Sequence, residues 1–379
     1  MTNSPPVIAL AEPLKVQVSQ INKQLSRIWS SQNDGGATRA STFNLLVFDP
    51  GQKDPNAVTD TVGAIAVQHP CRAIVLAAAG EDMPEPGVEA FVAAYCPVSE
   101  AGNRETVCCE YVTLRARGQA LVDIHTTAAS LLLPELETIL WWQSPLNPYL
   151  QLFTNLQKIV DRTVIDSTLF ETPEKGLISF TNLVFRGDGR GSFGDLNWSR
   201  LTPWREEAAL AFDSEERAAC LGALDGVMIE YGLADGSAPN PVQALLFLGW
   251  LASRLGWQPL SVHARDGLRQ IILTDTDQRP IQATIRSVPV EAALSGQLTS
   301  VGLRSEQMGA SCSTVLCSND STSCLRMQMN VGEAHITQVS DVDTQTTEQL
   351  LREALRTPDR DIIYEQSLAV VDQMLRLTK

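Results

Sequence analysis

Residues 41–48 read S-T-F-N-L-L-V-F, and this apolar run indicates the fold class of the first half of the chain. The turn residues Asp49, Pro50 and Gly51 follow it, so we predict a buried strand. A helix is predicted at residues 57–68, and a second apolar strand at residues 72–78. A strand, a helix and a strand in this order favour a βαβ unit, in which the two strands lie parallel in one sheet.

The same alternation extends on both sides of this unit. Upstream, residues 1–12 are Pro-rich and are expected to form a loose tail, and the apolar spacing at residues 14–29 predicts an amphipathic helix. Downstream, strands are predicted at residues 88–95, 105–115, 137–142 and 163–165, and helices at residues 121–132, 149–160 and 173–185. We therefore predict that residues 1–200 form an α/β domain with an N-terminal helix and a mixed, largely parallel sheet.

The pattern changes in the second half of the chain. Helices are predicted at residues 215–224, 241–255, 345–356 and 360–377, and strands at residues 227–231, 268–275, 280–287, 297–304, 323–330 and 333–339. Polar connections between consecutive strands favour antiparallel pairing. We therefore predict that residues 201–379 form an α+β domain with an antiparallel meander and C-terminal helices. A length of 379 residues also favours two domains over one core.

Composition excludes several classes of protein. The net charge of −15 argues against a surface for nucleic acid or anionic membrane, because such surfaces need clustered Lys and Arg. The first residues lack the basic start and apolar core of a signal peptide, and no run approaches the ~18 apolar residues of a membrane span. Eight cysteines in so long a chain do not indicate a secreted disulfide scaffold. A cytoplasmic protein without nucleic-acid or membrane partners is expected.

Residues 194–206 read G-D-L-N-W-S-R-L-T-P-W-R-E and place Trp198, Arg200, Trp204 and Arg205 within eight residues. One interpretation is a helix start, with Thr202 as the N-cap and Pro203 at the first helical position. The other is a partner-binding surface, because Trp and Arg are enriched where proteins meet. The two interpretations are compatible, and both are kept.

The same stretch resembles the D-x-x-W-x-R-L-x-x-W-R-E signature of the OpcA family, the glucose-6-phosphate dehydrogenase assembly proteins. Residues 131–142 (L-L-L-P-E-L-E-T-I-L-W-W), 161–167 (D-R-T-V-I-D-S) and 244–257 (A-L-L-F-L-G-W-L-A-S-R-L-G-W) agree with that family. The resemblance runs from about the first predicted strand to the C-terminal tail.

Few residues suggest catalysis. Each of the four histidines, His69, His125, His263 and His335, is expected to be a packed or surface residue, and H-E-x-x-H is absent. No G-x-x-x-x-G-K-[ST] phosphate loop is present. The glycine-rich stretch at residues 187–191 follows a helix-like segment, which favours a connection between domains. We predict no catalytic residue, no metal and no cofactor.

The cysteines leave three alternatives open. Cys312, Cys317 and Cys324 lie in a segment rich in Ser, Thr, Asn and Asp, which predicts a polar loop with accessible thiols. They could form a redox pair, with Cys317 the leading participant and Cys312 favoured over Cys324 as its partner. They could be idle thiols, or, least favoured, a zinc site completed by His335. Cys71, Cys96 and Cys220 are expected to be inert core residues.

The family resemblance implies a non-catalytic partner of glucose-6-phosphate dehydrogenase that favours its active oligomer and raises its activity. In the photosynthetic branch it also implies redox control through thioredoxin. An alternative is an enzyme or sensor that holds a sugar phosphate or nucleotide at the edge of the α/β sheet. A structural scaffold is a third possibility.

Overall fold

A computed structural model describes residues 7–30, 37–39, 41–51, 57–66, 68–80, 83, 86–97, 106–185, 191–265, 267–305, 312–319, 324–331, 334–341, 345–356 and 360–378. The chain divides into two compact units. The first unit comprises residues 1–166, 186–194 and 346–359, and the second comprises residues 167–185, 195–345 and 360–379. Both units are discontinuous in sequence, whereas the sequence analysis placed a single cut at residue 200.

The strands number seventeen among the described residues. They are β1 Val7–Val16, β2 Ala37–Arg39, β3 Phe43–Asp49, β4 Cys71–Ala78, β5 Gly87–Pro97, β6 Thr106–Arg117, β7 Thr138–Trp142, β8 Arg162–Ile165, β9 Ser192–Asp195, β10 Gly226–Leu233, β11 Gln258–Arg265, β12 Leu268–Thr274, β13 Pro280–Pro289, β14 Leu298–Arg304, β15 Cys312–Asn319, β16 Cys324–Val331 and β17 Ala334–Asp341.

Twelve α-helices lie within the same described ranges. They are α1 Ile21–Ser30, α2 Ala57–Ala66, α3 Gln119–Val122, α4 Ile124–Ala129, α5 Gln151–Leu156, α6 Pro173–Phe185, α7 Leu196–Arg200, α8 Thr202–Leu210, α9 Glu215–Leu221, α10 Val242–Leu255, α11 Thr347–Arg356 and α12 Ile362–Arg376. None of these helices has the length and apolar character needed to cross a membrane.

The first sheet has the order β1-β5-β6-β4-β3-β7-β8-β9, with β2 paired to β6. Its centre is parallel. Strand β3 pairs in parallel with β4 on one side and with β7 on the other. Strand β4 pairs in parallel with β6, and β7 pairs in parallel with β8. The strands β5 and β1 add an antiparallel edge. The predicted α/β fold class and its mixed, largely parallel sheet are confirmed.

The core of the first unit explains why β3 takes the central position. Residues from Phe43 to Phe48 are all buried, as expected for a strand covered on both faces. Phe48 stacks on Trp142 of β7, with 4.2 Å between ring centroids, and Phe153 of α5 meets the same indole edge-on at 5.1 Å. Aromatic pairs at such distances stabilise a core beyond the area that they bury.

The second sheet has the order β11-β12-β13-β10-β14-β15-β16-β17. Its pairs are antiparallel except for β10 with β13, and β14 to β17 form a meander. The predicted antiparallel sheet with C-terminal helices is therefore confirmed. Helices α10 and α12 pack against each other so closely that a Cβ at Gly249 would lie 2.7 Å from the carbonyl oxygen of Ser367. Glycine is needed at that crossing.

The structure corrects the start of the chain. We predicted a loose tail at residues 1–12 and a helix at 14–29, but residues 7–16 form β1 and the helix begins at Ile21. Residues 1–6 lie outside the described part of the structure. Strand β1 gains backbone hydrogen bonds by pairing with β5. Sequence periodicity does not show such pairing, because the partner strand lies about 80 residues away.

Candidate partner-binding site and cysteine strands

The Trp/Arg stretch, residues 194–206, forms the end of β9 and the helices α7 and α8. Asp195 caps α7, since its carboxylate accepts a hydrogen bond from the backbone N–H of Asn197 at 2.9 Å. The predicted helix start at Pro203 is confirmed, whereas Thr202 is the first helical residue rather than the N-cap. The hydroxyl of Thr202 instead accepts a hydrogen bond from the Arg205 guanidinium at 2.8 Å.

A buried polar network holds this stretch within the second unit. Asp195 is 2% exposed, and its Oδ1 also accepts from the backbone N–H of Ser167 at 2.9 Å. Its Oδ2 accepts from the hydroxyl of Tyr364 in α12 at 2.8 Å. The amide of Gln243 donates to Asn197 at 2.8 Å. Buried carboxylates are tolerated when several donors satisfy them, so these contacts fix the position of α7.

Trp198 lies at the centre of the network. Its indole N–H donates to Asp361 Oδ2 at 2.8 Å, and its ring lies 5.1 Å from the Tyr364 ring. The guanidinium of Arg205 covers the indole, with its central carbon 3.6 Å from the ring centroid. This is the geometry of a cation–π contact. Sequence reasoning missed Asp361 and Tyr364, which lie about 160 residues downstream and follow no motif.

The four predicted partner-binding residues fall into two groups. Trp198 and Trp204 are only 4% and 8% exposed, so their rings support the fold of the second unit. Arg200 and Arg205 are partly exposed. A direct contact with a partner therefore suits the arginines better than the tryptophans. Both arginines also make contacts within the chain.

The structure differs from what the sequence predicts for Trp141 and Trp142. Because neighbouring side chains on a strand alternate, the sequence predicts one indole in the core and leaves the other available to a partner. Both are buried, at 4% and 0% exposure. Strand β7 lies between β3 and β8, so both of its faces are covered within the unit.

The cysteine-rich segment is not the polar loop that we predicted. Cys312 and Cys317 lie on the continuous strand β15, and Cys324 begins β16. Cys317 pairs with Arg326, which places Cys324 two positions along the partner strand. The backbones of these cysteines are described, whereas their side chains, and that of His335, lie outside the described part of the structure. The expected redox pair, idle thiols and zinc site stay predictions.

The cysteines outside β15 and β16 include both free thiols and disulfide-bonded residues. Cys71 and Cys109 are free thiols, and burial raises the pKa of Cys109 to about 11. Burial also raises the pKa of Cys71, so neither thiol is reactive at neutral pH. Cys108 and Cys220 are disulfide-bonded. For Cys220 this corrects the expectation of an inert core thiol. The side chain of Cys96 is outside the described part.

The structure brings two predicted features together. Helix α8, which carries Trp204 and Arg205, contacts β15, which carries Cys312 and Cys317. Both elements belong to the second unit. Because the two elements are in contact, a change in the backbone of β15 would directly affect the position of α8.

The glycine-rich stretch and the histidines do not build a catalytic site among the described residues. Residues 189–194 have the spacing G-x-G-x-x-G, but they lead from α6 into β9, whereas the nucleotide fingerprint leads from a strand into a helix. Residues 186–190 are outside the described part. Burial lowers the pKa of His69, and the charges of Arg356 and Arg352 lower it further. No three His, Cys, Asp or Glu side chains converge as metal ligands in the described ranges.

The sequence is similar to known protein families and to full-length relatives. Family models described as the N-terminal and C-terminal domains of a glucose-6-phosphate dehydrogenase subunit match residues 62–182 and 192–368. Relatives named OpcA and assigned by name to the OxPP cycle occur in Synechocystis sp. and Synechococcus elongatus. The Synechocystis protein is 31% identical, and the match covers 100% of this chain and 95% of that protein. The Synechococcus protein is 32% identical, and the match covers 99% of both chains.

Solved structures agree on the fold. The 3-ketoreductase KijD10 of Actinomadura kijaniata, solved with NADP and TDP-benzene, aligns with a TM-score of 0.50. The alignment covers 89% of this chain and 98% of that chain, at 10% identity. At such identity the likeness shows the fold alone. The two family models and the full-length relatives decide the family, and the chain belongs to the OpcA family.

Proposed function

We propose that this chain is a cytoplasmic, non-catalytic assembly factor that binds glucose-6-phosphate dehydrogenase and favours its active oligomer. The observation that carries the proposal is the match of both halves to domain models described as parts of a glucose-6-phosphate dehydrogenase subunit. The agreement with OpcA relatives over almost the full length of both chains supports it.

The connection between β3 and α2 supports a role without dinucleotide chemistry. In doubly wound sheets, the turn after the first central strand carries the glycines that approach a pyrophosphate. Here residues 49–56 read D-P-G-Q-K-D-P-N, with one glycine and two prolines. A glycine-poor connection that carries Asp49 and Asp54 disfavours a pyrophosphate at this position.

Activation by a binding protein requires only differential affinity. A factor that binds the active oligomer more tightly than the inactive form shifts the population towards the active one. Arg200 and Arg205 are partly exposed on a segment that Asp195 and Trp198 hold in place. A partly exposed arginine on a segment that is held in place is suited to bind a carboxylate of a partner, because guanidinium and carboxylate form paired hydrogen bonds.

The test mixes the two purified proteins. We expect glucose-6-phosphate dehydrogenase to elute in a larger complex with this chain by size-exclusion chromatography with light scattering. Its activity at low substrate should rise. Arg200→Ala on α7 should weaken the complex at least several-fold, whereas the control Arg286→Ala, at an exposed position of β13, should not. Two independent species with unchanged kinetics would refute the proposed function.

We also propose that thioredoxin controls this activation through a disulfide of the second unit. Cys220 is disulfide-bonded, and Cys312, Cys317 and Cys324 are the other cysteines of that unit. A Cys312–Cys317 bridge is disfavoured, because five residues of a continuous strand span roughly 17 Å. A bridge needs Cα atoms within about 7 Å. Cys317 and Cys324 occupy diagonal positions of a strand pair, roughly 7–8 Å apart.

The redox step moves two electrons and two protons. A thioredoxin thiolate attacks one sulfur of the disulfide, and the second thioredoxin thiol resolves the mixed disulfide. Two protein thiols and oxidised thioredoxin result. Since β15 contacts α8, release of a covalent restraint near β15 would alter the segment that carries Arg205.

Cys220→Ser and Cys317→Ser test the redox proposal separately from assembly. Activation is measured under oxidising and reducing conditions, with the thiols of the dehydrogenase blocked. We expect at least one variant to lose the redox response while keeping the complex. A full response in both variants would exclude these cysteines as the switch. Peptide mapping of the oxidised chain identifies the partner of Cys220.

A further inference from the structure

The second unit contains a cavity of about 420 Å³ that no part of the proposed function uses. Its lining comes from the beginning of α6, the segment before α10, and the strands β10, β11, β12 and β13, all within that unit. Sites for small molecules measure roughly 300–1,000 Å³, so the cavity has the size of a ligand site. It lies in the second sheet, not at the edge of the α/β sheet where we had considered a ligand.

The charge of the lining opposes the charge of the chain. Lys175, Arg265 and Arg269 border the cavity, against the carboxylate of Glu174. The chain as a whole carries 44 acidic and 29 basic residues, so a basic cavity runs against its composition. Like charges around a concave, partly apolar wall focus the field inside it. An anionic ligand is therefore favoured.

The three basic side chains of the cavity differ in how deeply they are buried. Arg269 is 7% exposed, donates to the hydroxyl of Thr378 at 3.2 Å and forms an ion pair with Glu174. Two partners hold this guanidinium in position before any ligand arrives. Lys175 and Arg265 are exposed at the same cavity. One fixed inner cation and two outer ones suit a group with several anionic oxygens.

The remaining lining suits the body of a small polar metabolite. Burial raises the pKa of Tyr231, so its hydroxyl stays protonated at neutral pH and can hydrogen-bond to a ligand. Leu268 and Ile285 supply apolar wall. Pro173 at the start of α6 and Pro241 before α10 border the cavity too, and helix N-termini add partial positive charge.

We propose that this cavity binds a small phosphate monoester, with the phosphate at Lys175, Arg265 and Arg269 and the rest of the molecule against Tyr231. Two guanidinium groups favour phosphate, because their paired donors match its oxygens. The inference goes beyond the proposed function, since it assigns a ligand to this chain itself. Its test uses the chain without the dehydrogenase, so each proposal can fail alone.

The first experiment is calorimetric titration of the full chain with glucose 6-phosphate, inorganic phosphate or glucose. We expect glucose 6-phosphate to bind, inorganic phosphate to bind at least tenfold more weakly, and glucose to give no heat. Equal affinity for inorganic phosphate would show an ion site without recognition of the metabolite and would overturn the proposal. No binding of glucose 6-phosphate at about 10 mM would overturn it as well.

The second experiment locates the site. The double variant K175A/R265A should weaken binding of glucose 6-phosphate at least tenfold. The control K23A/R286A removes the same charge at exposed positions outside the cavity and should change affinity less than twofold. Unchanged affinity in K175A/R265A would overturn the assignment.

Discussion

At the scale of residues, the Trp/Arg stretch is built into the fold through side chains that lie far away in sequence. Trp198 donates to Asp361, which caps α12, and Asp195 accepts from Tyr364 of α12. Hydrogen bonds to charged acceptors are stronger than neutral ones. The Trp and Arg residues of this signature therefore serve mainly to build a buried network, and only part of the stretch is left exposed on the surface.

We expect Tyr364→Phe to destabilise the protein without changing its fold. The hydroxyl donates to Asp195 in a buried site, so its loss leaves one carboxylate oxygen without that donor. The free energy of unfolding should fall by about 1–3 kcal/mol, measured by urea denaturation. Tyr149→Phe, at a highly exposed ring, is the control and should change stability by less than about 0.5 kcal/mol. Equal effects would argue against the network.

Trp204→Ala and Arg205→Ala should differ in their effects. Truncation of the buried Trp204 should cost about 3–5 kcal/mol of stability. Removal of Arg205 loses its contact with the Trp198 ring and should cost only about 0.5–2 kcal/mol. If Arg205 also binds the dehydrogenase, its loss should weaken the complex by more than about 1 kcal/mol. Similar thermal shifts with unchanged binding in Arg205→Ala would argue against an interface role.

At the scale of elements, the turn between β12 and β13 depends on one carboxylate. Asp275 Oδ1 accepts from the backbone N–H groups of Asp277 and Arg279 at 2.9 and 2.8 Å. Its Oδ2 accepts from the Arg279 guanidinium at 2.7 Å. Burial alone would raise the pKa of Asp275, but the hydrogen bonds and charge of Arg279 outweigh it and lower the pKa.

Asp275→Asn should therefore change the acid stability of the protein. A carboxyl with a lowered folded-state pKa stabilises the fold above its unfolded pKa of about 3.9. That contribution is lost as the pH falls through the lowered value. At pH 7 the variant should lose about 1–2 kcal/mol of unfolding free energy. Its unfolding free energy should also depend less on pH below about pH 4.

The control for this turn is Asp277→Asn, which removes an exposed carboxylate in the same turn. Urea denaturation at a series of pH values compares both variants with the parent. The same stability and the same pH dependence in all three proteins would show that the Asp275 carboxylate does not hold the turn.

At the scale of the whole molecule, a shared fold does not imply a shared cofactor site. The chain resembles an NADP-bound 3-ketoreductase in fold, yet residues 49–56 lack a glycine fingerprint after β3. We expect the purified chain alone not to reduce NADP with glucose 6-phosphate, measured by absorbance of NADPH. A co-purified dehydrogenase is excluded by repurification. Turnover that tracks the amount of this chain would contradict the expectation.

The sequence alone determined the fold class and many of the elements. Apolar runs such as residues 41–48 and 72–78 predicted the central strands, because a strand covered on both faces has no polar alternation. Helix α6 matched its predicted residues 173–185, since the apolar spacing ends at the glycine-rich stretch. The long irregular Trp/Arg string identified the family, because such strings rarely recur by chance.

Only the tertiary structure decided what these elements touch. It paired β1 with β5, buried both Trp141 and Trp142, and placed Asp361 and Tyr364 against Trp198. It turned the expected cysteine loop into β15 and β16, because polar residues form strands when neighbouring strands satisfy their backbone. The basic cavity likewise joins α6, β10, β11, β12 and β13, and no local pattern connects segments that are so far apart in sequence.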